Sequence, residues 1–418
     1  MKIAVVGAGI VGVATAYELA LGGHEVTVFD KNTSVAEISS FAPGGSLAAS
    51  MTQPFSHTTW PKSGTFVRLL SNTAMLPIQD LANLTAWKWL FTWSKARLTD
   101  QFASDFAANA NLLKQGIARV GAICHEESFE FEQSTGQLTL MQSEAELKIA
   151  AAKLEALKSL GVLHTVLSEA ELANVEPSLC HPNGAQPAIL FAGDLVGNCR
   201  QFAQLLKDRA VQAGARFAFN STVSSIRCHP RIELTVQGGA EALTFDRIVL
   251  CTGAAVAELA TPLKIKAPLI EAHAYSLSAQ MREPLNGPRS AVFDTRSQIG
   301  IARIGNRIRA TGGFRIGRPN TRTTKRAQDL LYRAIQNHFP GAATLSKSTQ
   351  FWHANTVISA DAKPLIGPTD APGIYLNVGH GFNGWGMACG AAELLAASIA
   401  SPSGAGSGSE FTPQRFRH

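Results

Sequence analysis

Gly7-Ala8-Gly9-Ile10-Val11-Gly12 stands between two segments of different periodicity, and that placement constrains the fold more than any other feature. Residues 3–7 are a short apolar, branched run that reads as a buried strand. Ile10, Val13, Ala14, Tyr17 and Leu21 follow at helical spacing, and Gly22-Gly23 ends the helix. Glu25–Phe29 reads as a second strand with Asp30 at its end, which completes a βαβ unit of the expected length. Each glycine has a physical reason. Gly7 permits the tight turn, Gly9 lets backbone approach a diphosphate, and Gly12 lets the helix close on the sheet. The helix start favours phosphate charge, Ile10 and Val11 contributing backbone there, while Asp30, with Lys31 beside it, is placed to accept from a ribose hydroxyl. A dinucleotide site is the expectation.

Two further glycine turns bear on which dinucleotide. The segment Arg247–Gly253 is a strand ending in Cys-Thr-Gly, with Thr252 and Gly253 at its tip. Late in the chain, Gly379-His380-Gly381-Phe382-Asn383-Gly384-Trp385-Gly386 precedes a small-residue helix over Met387–Ile399. A helix start offers free N–H groups and positive dipole potential, which suit the pyrimidine side of a reduced flavin. A nicotinamide enzyme has no evident need of this third element, so FAD is the expected cofactor.

With 418 residues, two domains are expected. Helices are expected over Leu81–Phe102, Ser104–Val120, Glu144–Leu160 and Arg200–Ala213, the last capped by Asn198. Strands are expected at Gly136–Gln142, Arg216–Phe219, Leu243–Thr252 and Gly373–Val378, with a hairpin over Ile299–Ala310 turning at Gly305-Asn306. The fold class is α/β: a Rossmann-like FAD-binding domain of 1–80, 198–262 and 350–400, with a second antiparallel-sheet substrate or cap domain of 81–197 and 263–349. Residues 401–418, rich in Ser and Gly at their start, read as a flexible tail.

Several function classes fall away. Six scattered cysteines give neither a zinc pattern nor a disulfide framework, so no metal is expected. Arg282–Arg326 holds eleven Lys/Arg against Glu283 and Asp294, but without interleaved aromatics or a recognisable module it reads as a solvated hairpin, not a nucleic-acid surface. The apolar run at the start reaches Gly7 too soon for a signal peptide, and a cytoplasmic location is expected. Trp87, Trp89 and Trp93 with Lys88, Lys95 and Arg97 read either as core of the cap or as a peripheral contact with the inner face of the membrane.

Nearly end to end, the chain resembles the D-amino-acid oxidase superfamily, most closely its bacterial D-amino-acid dehydrogenase branch. The blocks that carry the resemblance include Gly7–Gly12, Ser39–Gly45, Asp194–Phe202, Ala274–Leu277, Asn306–Arg309, Phe351-Trp352, Pro364–Gly367 and Leu376–Gly390. The resemblance implies a glycine-oxidase-like fold and non-covalent FAD. It also implies oxidation of a C–N bond beside a carboxylate, by hydride transfer to flavin N5, with electrons leaving to a quinone or another carrier. Implied cofactor contacts, besides the first turn, are Ser39, Gly44, Gly45, Val223, Thr252, Gly253 and Gly381 through Trp385. Thr356 stands where the branch carries the arginine that clamps the substrate carboxylate, and a hydroxyl lacks both the charge and the fork of a guanidinium. Arg315 stands where the branch tends to be acidic, and Ser297 replaces an aromatic. Expected substrate-side residues are therefore Tyr275, Arg315, His353 and Thr356, with Asn355 and His380 nearby. Oxidation by oxygen, a 2-hydroxy acid substrate, and a flavoprotein subunit of a larger electron-transfer complex stay open.

Overall fold

The computed structural model describes residues 1–52, 87, 89, 91–93, 101–180, 187–239, 241–317, 319–345, 349–401 and 409–416. Its first layer is a six-stranded sheet in the order Leu365–Pro368, Ile374–Val378, Arg247–Leu250, Lys2–Val6, Glu25–Phe29, Arg216–Ala218. Neighbours run parallel except at the Leu365–Pro368 edge. A parallel sheet must be covered on both faces, and the alternation of each strand shows how. Ile3, Val5 and Val249 pack with the helices Ile10–Leu21, Cys199–Gln212 and Gly384–Ala400. Ala4, Val6, Ile248 and Leu250 face the other way, against Ile226, Leu234 and Phe245 of a small antiparallel layer.

The second large sheet is mixed and runs Gln350–Ser359, Leu269–Gln280, Arg307–Ile316, Ile299–Ile304, Ala291–Asp294, Ser134–Leu140, Ala188–Val196, Ser46–Leu47. Only the Ala291–Asp294 and Ser134–Leu140 neighbours are parallel. Helix Thr321–His338 covers one of its faces with Ala327, Leu331, Ala334 and Ile335, spaced three and four apart, on Tyr275, Leu277, Ile308 and Ala310. Asn320 caps that helix by accepting from Thr323 N at 2.9 Å.

Several expectations are corrected here. Leu243–Thr252 is not one buried strand: Leu243–Thr244 is an exposed hairpin arm, and the buried strand begins only at Arg247. The strand Gln350–Ser359, grouped in sequence with the first domain, pairs with Leu269–Gln280 in the mixed sheet, and so does Ser46–Leu47 with Ala188–Val196. Helix Gln101–Glu127, grouped with the cap, shares the core of the parallel sheet through Leu112, Leu113 and Val120. The tail is not flexible throughout. Arg415 donates through Nε to Asp361 Oδ2 at 2.7 Å, through Nη2 to Asp361 Oδ1 at 3.0 Å, and to the Lys363 carbonyl at 2.8 Å. A bidentate charge-assisted pair of this kind holds 409–416 against the turn before Leu365; residues 402–408, 417 and 418 lie outside the described set.

The Trp-rich stretch divides. Trp89 is buried and donates Nε1 to the Ile358 carbonyl at 3.0 Å, with Trp93 stacked on it at 6.0 Å. Trp87 and Phe91 are exposed. Lys88, Lys95 and Arg97 lie outside the described residues. No described helix is long and apolar enough to cross a membrane.

Candidate active site

One cavity of about 920 Å³ runs between the two sheets, and all three glycine turns open on it. At its far end are Gly7, Gly9, Ile10, Val11, Asp30, Lys31 and Val223. Gly12 is not at the cavity. An added Cβ there would lie 1.8 Å from the Gly7 carbonyl oxygen, so its role is the close passage of helix over turn. The Asp30 carboxylate is already engaged, accepting from Ala8 N at 2.6 Å and from Asn32 N and Nδ2 at 2.8 Å. It therefore braces the turn as well as bordering the cavity, and its remaining lone pairs stay available.

The middle of the cavity is bordered by Ser39, Gly44, Gly45, Thr252 and Gly253, and by Gly381, Phe382, Asn383, Gly384 and Trp385 from the chain's other end. Side chains stitch these pieces together. Trp385 Nε1 donates to the Gly45 carbonyl at 3.2 Å, and Asn383 Nδ2 to the Met51 carbonyl at 3.0 Å. Buried Asp194 holds the adjoining Ala49–Met51 turn by accepting from Ala49 N at 2.9 Å; burial pushes its carboxyl up to about 6.

On the mixed-sheet wall the sequence-expected residues separate. Thr356 borders the cavity and donates to the Gly381 carbonyl at 2.9 Å, tying the wall to the C-terminal turn. Tyr275 borders it too, but its side chain is buried and its hydroxyl lies 3.3 Å from Thr324 Oγ1 on the covering helix. His353 and Asn355 border the cavity along the edge strand, His353 exposed and Asn355 Nδ2 bonded to Glu271 Oε1. Arg315 is not brought to the cavity. Phe314 lines it, ring to ring with Phe382 at 4.2 Å, and the next residue along a strand turns to the opposite face. There Arg315 is paired in register with His273, whose pKa is pushed down by burial first and also by the Arg315 charge.

Sequence reasoning passed over Gln137, Ser276, Gln298 and Thr311, which border the same region. Ser276 and Thr311 are directly opposed across two strands, a pairing legible only once the register is known. Among the described lining residues the one Lys or Arg is Lys31, at the far end.

The cavity's chemistry fits a polar, phosphate-bearing ligand. Thr252 Oγ1, Thr311 Oγ1 and His380 Nε2 are buried beside it with no partner among the described residues, and such atoms are costly unless something bonds them. The N-cap residues of the helices beginning at Ile10 and Gly384 give no side-chain cap; Ser40 Oγ accepts from Ile10 N at 3.1 Å, and other N–H groups of these first turns remain for an outside acceptor. Burial pushes the His380 imidazole down to about 4. Its folded value lies below the ordinary 6.5, so the unfolded chain binds the extra proton first and stability falls as pH drops from 6.5 to 4. The expected loss is about 3 kcal/mol. Urea titrations of wild type and His380→Gln across that range check this; equal slopes would refute it.

Residues 2–398 match the DAO family, described as FAD dependent oxidoreductase. The chain is similar to D-amino acid dehydrogenase of Rhodopseudomonas palustris, 32% identical over 416 residues, covering 94% of this chain and 93% of the relative. It is similar to D-amino acid dehydrogenase of Bradyrhizobium diazoefficiens, 29% identical over 429 residues, covering 100% and 99%. Among solved structures it is similar to glycine oxidase from Geobacillus kaustophilus, TM-score 0.72 at 19% identity, covering 99% and 98%. L-proline dehydrogenase from P. horikoshii matches with TM-score 0.74 at 18% identity, covering 100% and 97%.

Proposed function

We propose that this chain, which belongs to the DAO family of FAD dependent oxidoreductases, dehydrogenates an amino acid, D-configured as in its named relatives, or a related amine. The observation that carries this reading is that glycine turns from the start, middle and end of the chain meet on one continuous cavity. Gly9 and Val11 would hold the FAD diphosphate by backbone N–H groups, beside Ile10, whose N–H is held by Ser40 Oγ at 3.1 Å, with Asp30, Lys31 and Val223 at the adenosine end. Ser39, Gly44, Gly45, Thr252, Gly253 and Gly381 through Trp385 would hold the ring system. When bound, FAD accepts a hydride from the substrate carbon that bears nitrogen.

The chain's own residues supply orientation and exclusion of water. Phe293, Phe314 and Phe382 give the substrate end apolar walls, while Ser276, Gln298, Thr311 and Thr356 supply neutral hydrogen-bonding groups. Burial holds His380 neutral and makes it a weak base, so the amine proton is lost to solvent. A carboxylate at this end would meet neutral donors such as the Ser276 and Thr311 hydroxyls, since Thr356 already donates to the Gly381 carbonyl. Electrons leave to a quinone or another carrier, and Trp87 and Phe91 offer outward-facing apolar groups for a peripheral membrane contact.

An anaerobic screen of D-amino acids, secondary amines and 2-hydroxy acids, read as bleaching of the flavin band, tests the proposal. Bleaching by amines is expected, with reoxidation by a soluble quinone faster than by air. A folded protein that stays colourless in FAD would end the reading. Stoichiometric peroxide would make it an oxidase, bleaching by hydroxy acids alone would change the substrate class, and activity only with a partner chain would make it a subunit.

A further inference from the structure

Arg309 is 4% exposed, in the strand Arg307–Ile316, and carries its charge into the wall between the two sheets. Its Nε donates to Ser278 Oγ at 2.8 Å and its Nη1 to the Pro43 carbonyl at 2.9 Å. Both acceptors are neutral. Glu132 pairs with Arg307 instead, at 2.7 Å, and no described carboxylate lies within 4.0 Å of Arg309. Burial pushes the guanidinium down to about 10. A buried ion without a counter-ion is expensive, and proteins keep one where an anion comes to meet it.

The place where that anion would arrive follows from the neighbours. Arg309 sits opposite Ala302 and Ser278 in register, and Thr311, two residues on, shares its face. Ala302, Thr311 and Pro43 all border the cavity. Thr311 Oγ1 is buried without a partner among the described residues and lies 3.4 Å from where a Cβ on Gly44 would sit. In a trans peptide the C=O and N–H point in opposite directions, so a Pro43 carbonyl drawn to Arg309 turns the Gly44 N–H away from it. A donor bonded through its own peptide to a cation is polarised and strengthened.

We propose that Arg309 is a positioning residue that supplies the fixed positive charge for the negative charge entering the cavity on reduction, acting through the Pro43–Gly44 peptide. The inference rests on the reading that FAD fills the cavity. A hydride is one proton with two electrons, so its transfer from a neutral amine brings one negative charge to the acceptor's site and leaves a cation on the product. Arg309 answers that charge from behind the loop and touches neither reactant.

The test uses the FAD-loaded enzyme. In Arg309→Gln the two-electron midpoint potential should fall by about 30 mV or more, the equivalent of a tenfold loss in the reduction equilibrium. The dissociation constant of sulfite, a probe anion, should rise at least tenfold, and Arg309→Lys should recover most of both. An unchanged potential and sulfite affinity in coloured Arg309→Gln would overturn the inference. Should that variant fail to fold, the wild type decides by itself. Its photoreduced spectrum at pH 6 should be that of the anionic reduced form, and a neutral spectrum refutes the role of Arg309. A colourless wild type would refute FAD binding instead, so the two failures are distinct.

Discussion

Gly12→Ala should yield a protein that retains no FAD and is less stable by about 3 kcal/mol or more. The added methyl would sit 1.8 Å from the Gly7 carbonyl oxygen and 2.9 Å from its carbon, both backbone atoms that no rotamer change can move aside. Ordinary overpacking costs about 1–3 kcal/mol because flexible side chains share the displacement. Here the displacement falls on the turn itself. Gly7 N donates to the Phe29 carbonyl at 2.8 Å and Ala8 N to Asp30 at 2.6 Å, so moving the turn breaks its register with the second strand. Released-flavin absorbance and urea denaturation check both halves. Gly193→Ala is the control: nothing lies within 4 Å of the added atom, and its stability should stay within about 0.5 kcal/mol of wild type. A yellow Gly12→Ala protein with wild-type stability would show that helix and turn are not packed as described.

Lys363→Met should cost about 3–5 kcal/mol, the usual result of removing one partner of a buried ion pair. Lys363 Nζ lies 2.6 Å from Asp105 Oδ1, their side chains 5% and 8% exposed, and the pair joins the turn before Leu365 to helix Gln101–Glu127. Burial already raises the Asp105 pKa, with the Lys363 hydrogen bond opposing it. Without the lysine the folded-state value rises further. A carboxyl raised on folding contributes fully below its unfolded pKa and loses that contribution as pH climbs through the folded value. The deficit of Lys363→Met should therefore shrink between pH 8 and pH 5, and adding Asp105→Leu should restore most of the loss at pH 8. A loss under about 1 kcal/mol, or one independent of pH, would contradict the burial of this pair.

The contrast between what could be read in the chain and what could not has a physical pattern. The turn at Gly7, the helix cap at Asn198 and the hairpin at Gly305-Asn306 are local, written in residues a few positions apart, and each stands where expected: Asn198 Oδ1 accepts from Gln201 N at 3.3 Å. Sheet membership is not local. Gln350–Ser359 and Ser46–Leu47 take partners about 80 and 150 residues away, and nothing in their composition says which sheet will accept them. Arg315 shows the same limit at one residue. Its type suited a carboxylate, but which way a strand residue points depends on register, and a β-bulge between His273 and Tyr275 resets that register nearby. Arg309, in a block that carries the family resemblance, drew no role because burial without a counter-charge is invisible in a string of letters.

The position of Lys2–Val6 at the middle of the parallel sheet has a consequence for synthesis. This strand leaves the ribosome well before its partner Arg247–Leu250, which follows some 240 residues later, ~12–50 s at ordinary elongation rates. For that interval the nascent chain displays an unpaired apolar edge, so its yield in a host should track the supply of chaperones that shield such edges.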